Sequence, residues 1–141
     1  MSRLAVIVDT NVVVAGLLTS NDAAPVARIL DGMLAAAFPF VVSEALLAEY
    51  RTVLVRPKLR KLHGLSVAEV ETILTDLAQH AIVFNPPASV APLAPDPGDQ
   101  LLWDLLAARA DLLLVTGDSL LVQDAGMQGR VISPRAFMAS V

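Results

Sequence analysis

The sequence predicts an α/β domain of three α/β/α layers, with a central parallel sheet of about four to five strands. Three observations predict it. Short unbroken apolar runs alternate with segments of helical periodicity along the chain. Apolar residues make up 55% of the chain but aromatics only 4%, so Leu, Val and Ala carry the core, as in a buried parallel sheet. The alternation of strand and helix calls for right-handed crossovers and helices on both faces. At 141 residues the chain is expected to be one domain, 1–141, large enough to bury a core.

The elements follow in order. Leu4 to Val8 is a continuous apolar run ending at Asp9, hence a buried strand. Asn11 to Leu18 reads as a short helix, and Pro25 suits the first turn of a second helix reaching about Ala37. Phe38 to Val42 is the second strand. Ser43 is placed to cap a helix through Val55 that Pro57 stops. Ser66 with Glu69 forms a capping box for a helix to about Ala81, and Ile82 to Phe84 is a candidate strand. Asn85 to Gly98 carries Pro86, Pro87, Pro92, Pro95 and Pro97 and reads as a loop. Asp99 to Ala110 is a helix and Leu112 to Thr116 the clearest buried strand. Gly117-Asp118 turns into a short helix, Val131-Ile132 is a weak last strand, and Pro134 opens a C-terminal helix. There is no internal repeat.

Composition removes several function classes. Without cysteine there is neither a disulfide framework nor a thiolate zinc site, and a reducing cytoplasm is the expected setting. The apolar run before Asp9 is too short for a signal peptide, and no window reads as a membrane helix. The net charge of −4 argues against a polyanionic partner, but its distribution argues the other way. Of the ten basic residues, Arg51, Arg56, Lys58, Arg60 and Lys61 fall in one short window. They form either a solvated helix face and loop or a strip for a phosphate backbone. His63 and His80 are placed in a loop and at a helix end, with surface roles.

Ligands in open parallel sheets bind beyond the carboxyl ends of the strands, so residues that follow strands carry most information. Asp9 follows the first strand and Asp118 follows the Leu112–Thr116 strand. Asp99 opens the helix after the proline-rich loop, and Glu49 lies in the helix after the second strand. Singly, Asp9, Asp99 and Asp118 are adequately explained as helix caps worth about 1 kcal/mol each. Together they describe an oxygen-donor set for a hard divalent cation. Without a cation, each pair at about 4 Å would cost on the order of 4 kcal/mol at an effective dielectric near 20.

Helical angles separate neighbours. Leu46, Leu47, Tyr50, Val53 and Leu54 define an apolar stripe with Glu49 at its border and Glu44 on the far side, where Glu44 complements the helix dipole. Leu101, Leu102, Leu105 and Leu106 define the next stripe, with Asp99 at its border and Asp104 opposite, in solvent. Asp96 lies in the loop as a possible contributor.

These residues carry a resemblance. Asp9-Thr10-Asn11-Val12 after an apolar strand resembles the opening motif of PIN domains. Ser43 through Tyr50 with Glu49, Asp96-Pro97-Gly98-Asp99 before a Leu/Ala helix, and Val115-Thr116-Gly117-Asp118 resemble the three acidic motifs that follow. Arg56-Pro57-Lys58 and Pro134-Arg135-Ala136-Phe137 are similar to the toxin-component branch of bacterial type II toxin–antitoxin systems. Members of that branch often carry an acid where this chain has Gly98. The resemblance spans nearly the whole chain in order and spacing. It implies a PIN-like nuclease, specifically an endoribonuclease dependent on Mg²⁺ or Mn²⁺. Asp9, Glu49, Asp99 and Asp118 would be its catalytic and metal-holding acids, with Thr116, Asn11 and Asp96 as accessory groups. It further implies an RNA substrate contacted by the basic window, a cognate antitoxin and a homodimer.

The expected chemistry is hydrolysis of an RNA phosphodiester by a metal-activated water. A receiver-like domain would want an acidic pair after the first strand and a late lysine, but no lysine follows Lys61. A haloacid-dehalogenase-type phosphatase would want Asp at position 11, which is Asn. A PIN-fold binder without catalysis is the remaining alternative.

Overall fold

The computed structural model describes residues 5–87, 93–124 and 129–141. Eight α-helices and five short strands alternate among them: β1 (Val6–Val8), α1 (Thr10–Leu18), α2 (Pro25–Leu34), β2 (Val41–Val42), α3 (Glu44–Leu54), α4 (Pro57–His63), α5 (Val67–His80), β3 (Ile82–Val83), α6 (Gln100–Ala108), β4 (Leu113–Val115), α7 (Ser119–Val122), β5 (Val131–Ile132) and α8 (Pro134–Ser140). A single 3-10 turn, Pro97–Asp99, precedes α6.

All strand pairs are parallel. β1 pairs with β4 and β4 with β5, while β2 pairs with β3. A bridge between Val6 and Phe40 joins the two groups, giving the line β3-β2-β1-β4-β5 and the α/β/α architecture expected. The chain first moves outward from β1 through β2 to β3, then returns to the other side of β1 for β4 and β5. The order therefore reverses between β1 and β4. Crossovers diverge there and leave a crevice at the carboxyl ends of the strands.

The sheet is built from fully buried residues: Ile7, Val8, Val41, Val42, Leu114 and Val115. α2 packs against α1, α5 and α8; α3 packs against α1, α5 and α6. The α1–α2 approach is close because residue 16 is glycine: a Cβ there would lie 2.7 Å from the Val26 carbonyl oxygen. Phe38 meets Phe137 of α8 edge-on, with centroids 5.0 Å apart. No described helix is long and apolar enough to cross a membrane.

Several expectations shift. Pro57 does not merely stop α3. It occupies the first turn of a separate helix, α4, where its missing N–H costs nothing, and Gly64 closes that helix at φ 71°. The basic window is thus helical, and His63 ends α4 instead of lying in a loop. Its Nε2 bonds the Leu54 carbonyl (2.8 Å), and its Nδ1 accepts from Leu65 N–H (2.9 Å), so it ties α3, α4 and the next turn together. In α6, Trp103 is buried and Leu101 is not fully so. The two lie about 100° to either side of Leu102, and the core takes the larger ring. Asp104 is half-buried and accepts from Gln100 Nε2 at 3.1 Å, where full solvation was expected. Leu4 and residues 88–92 of the proline-rich segment lie outside the described residues.

Tyr50, the one tyrosine, is fully buried on α3, and its hydroxyl donates to the Val8 carbonyl at the end of β1. Tyr50→Phe keeps the packing but strands that carbonyl. Urea or thermal unfolding is expected to show a loss of about 1–3 kcal/mol. An unchanged midpoint would mean that the bond contributes nothing net.

Candidate functional site

The residues after β1 and β4 meet because the strands are adjacent and in register. Val8 lies opposite Val115, and Asp9 N–H donates to the Val115 carbonyl at 2.9 Å. Asp9 caps α1, only 6% exposed: one carboxylate oxygen accepts from Thr10 N–H (2.7 Å), the other from the Thr116 hydroxyl (2.8 Å) and Asn11 Nδ2 (3.3 Å). Thr116 is fully buried, and its oxygen also accepts from Asn11 Nδ2 (3.2 Å) and Asp118 N–H (3.1 Å). Asn11 Oδ1 accepts from Gly117 N–H at 3.0 Å. Asn11 and Thr116 therefore stitch the two strand ends together.

Asp118 caps α7 by accepting from Leu120 N–H at 2.9 Å. Asp99 behaves differently. It makes no side-chain cap, and the capping task at the preceding turn falls to Asp96, which accepts from Gly98 N–H at 2.8 Å. Capping therefore accounts for part of what Asp9 and Asp118 do and for nothing that Asp99 does. Glu49, half-buried as its place on α3 predicts, accepts from the Thr10 hydroxyl at 2.6 Å; Glu44 is exposed.

Asp9, Asn11, Asp99 and Asp118 line one cleft of about 470 Å³ together with Thr10, Val14, Ala15, Leu18 and Val53. Its apolar wall and Thr10 were not singled out from the sequence. The signal for the wall was present, since Asn11, Val14, Ala15 and Leu18 share one face of α1 at helical spacing.

The electrostatics are one-sided. Burial raises the Asp9 carboxyl above its ordinary value against the lowering pull of the Thr116 hydroxyl and the Thr10 N–H, and the charges of Glu49 and Asp118 add to the rise. Asp99 is pushed up to about 6, by desolvation first and then by Asp9, Asp96, Asp118 and Glu49. Burial, Asp9 and Glu49 also push the Tyr50 hydroxyl upward, so it stays a donor to Val8. Among the described residues, every charge acting on Asp9 and Asp99 is negative.

The basic residues are not all at this cleft. Arg51 faces α5, where it pairs with Glu71 through two bonds of 2.7 and 2.9 Å beside a separate hollow between α3 and α5. Arg56, Lys58, Arg60 and Lys61 are exposed on or just before α4, with no ion pair among the described residues. α4 packs against α1 and α3, the two helices that wall the cleft.

The parallel α/β/α sheet brings Asp9, Asp99 and Asp118 to one cleft at its switch point, with Glu49 beside Asp9, which makes this an α/β/α domain with an acid-lined cleft. Comparison with family models gives a match to the PIN domain over residues 5–120, a span holding all four acids. The chain belongs to the PIN domain family, a nuclease-type fold. No curated protein matches it.

PIN nucleases typically use divalent metals, and the donor set here can be tested for that use. Among the described residues, no three Asp, Glu, His or Cys side chains are close enough to form a ready-made cage. Mg²⁺ does not ask for one, because it keeps several waters and takes one or two carboxylates directly. All-oxygen donors, mutual repulsion and no acting cation among the described residues fit such an ion.

The raised Asp99 value has a consequence for stability. Its folded value, about 6, lies above its unfolded one, so the native state binds the extra proton between pH 4 and 6. Stability then falls as pH rises through that window. Asp99→Asn is expected to raise the unfolding midpoint of metal-free protein at pH 7.5 and not at pH 4. The gain should be on the order of 1 kcal/mol at most, since this carboxylate is partly solvated. Equal effects at both pH values would mean that ionisation of Asp99, disfavoured by desolvation and then by its acidic neighbours, is not the cause.

Proposed function

We propose that this PIN domain is a divalent-metal-dependent endoribonuclease that hydrolyses phosphodiesters of RNA. The observation that carries the reading is the gathering of Asp9, Asp99 and Asp118 in one cleft, with Glu49 beside Asp9 and no balancing cation among the described residues. Mg²⁺ or Mn²⁺ bound there supplies charge neutralisation and an activated water. Asp9 and Glu49 would hold the ion from the β1–α3 side, Asp99 and Asp118 from the β4–α6 side. Thr116 and Asn11 keep Asp9 fixed between the strands, so its carboxylate does not reorganise when substrate arrives. Asp96 caps the turn that presents Asp99. Val14, Ala15, Leu18 and Val53 offer an apolar surface beside the acids. Arg56, Lys58, Arg60 and Lys61 supply positive potential for the RNA backbone next to a cleft that would otherwise repel it. Arg51 would join them only by giving up Glu71.

The similarity of the Arg56-Pro57-Lys58 and Pro134 to Phe137 motifs to toxin components supports a finer reading: the toxin of a toxin–antitoxin pair, held by a cognate antitoxin and acting as a homodimer.

The test is cleavage of a pool of structured and single-stranded RNA with Mg²⁺ or Mn²⁺, beside EDTA and Asp9→Asn controls. Cleavage is expected with metal and lost in EDTA. Asp9→Asn should lower the rate at least on the order of 100-fold, since even changes to outer groups of metal sites cost 10–100-fold. RNA that is bound yet never shortened would favour the alternative of a PIN-fold binding module. Cleavage surviving both controls would refute the acidic site.

A further inference from the structure

One residue touches two of the acids at once. The backbone N–H of Thr10 donates to an Asp9 carboxylate oxygen at 2.7 Å, and its hydroxyl donates to Glu49 Oε2 at 2.6 Å. Thr10 is 7% exposed, so neither donor is diluted by bulk water. The two acceptors come from different elements: Asp9 ends β1, and Glu49 projects from α3, 39 residues further along. A free glutamate has three side-chain torsions and drifts from a neighbouring carboxylate that repels it. A buried hydroxyl bonded to one of its oxygens fixes the torsions and leaves the other oxygen without a hydrogen bond among the described residues.

We infer that Thr10 is the positioning residue that sets Glu49 against Asp9, so that the two acids present oxygens to one cation. This role rests on the metal-dependent reading above. Thr10 donates to the acids and takes no part in the reaction itself. Its backbone half is insensitive to substitution, so the side chain can be tested alone. Thr10→Val keeps the branched shape and the Asp9 bond and removes only the donor to Glu49. Thr10→Ser keeps the donor.

The experiment is calorimetric titration of Mn²⁺ into wild type, Thr10→Val, Thr10→Ser, Glu49→Gln and the Thr10→Val/Glu49→Gln pair, with metal-free unfolding curves as the folding control. Thr10→Val is expected to weaken Mn²⁺ binding about 10- to 100-fold. Thr10→Ser should restore it, and Thr10→Val should add little once Glu49 is Gln, because the two act through one bond. Thr10→Ala gives the same readout if the valine variant proves unstable. Wild-type affinity in Thr10→Val, or equal losses in both Glu49 backgrounds, would overturn the role of Thr10 alone. Absence of Mn²⁺ binding to the folded wild type would instead overturn the metal-dependent reading, and this role with it.

Discussion

The pairing of β1 with β4 fixes what the cleft can be. These strands are far apart in sequence yet lie side by side, with Val8 opposite Val115, and the residues just past that pair are Asp9 and Thr116. Both strands are apolar on both faces, so burial alone does not select a register; the strand ends are tied instead by the Asp9 N–H on the Val115 carbonyl and by the bonds that Thr116 and Asn11 make across them. The sheet order does the rest. Its reversal between β1 and β4 places the helices that follow each strand on diverging paths, and the loops that carry acids line the gap.

That gap concentrates negative charge in a partly desolvated place, and the fold softens the cost locally. Asp9 receives a backbone N–H, a buried hydroxyl and an amide; Asp118 receives the N–H of Leu120; Glu49 receives Thr10. Capping and ligation are therefore not rival explanations for Asp9 and Asp118. An N-cap uses part of a carboxylate's acceptor capacity, and it holds the group at a helix N-terminus whose dipole favours the ionised form. Asp99 lacks such donors among the described residues and shows the cost most clearly, its carboxyl being pushed up to about 6.

Much of this was legible in the sequence. Runs such as Leu112 to Thr116 are apolar enough to name a buried strand, and caps such as Ser43 and Ser66 mark helix starts that the structure keeps. The border position of Glu49 followed from helical angles alone. What was not legible depends on partners distant in sequence. α4 was missed because Pro57 reads equally as a stop or a first turn, and only packing on α1 and α3 decides. Arg51 belonged by sequence to the basic window, but its angle on α3 aims it at Glu71 of α5, a pairing no local pattern announces. Thr10 looked like the middle of a motif. Its meaning lies in Glu49, on a different helix.

The acidic balance of the chain, −4, looks hostile to a polyanion, and the structure divides that objection into two parts. The acids that repel a phosphate most are those in the cleft, and on the proposed reading they are neutralised by the cation that also draws the phosphate in. The four exposed basic residues at α4 make no ion pair among the described residues, so their charge is available. Net charge averages over a surface much wider than the ≈8–10 Å range of unscreened attraction in physiological salt. A backbone approaching α4 responds to the local sum. On the proposed reading, the cleft would reject RNA without metal while α4 would still attract it: affinity and chemistry would fall to different helices, and they would meet where α4 packs against the walls of the cleft.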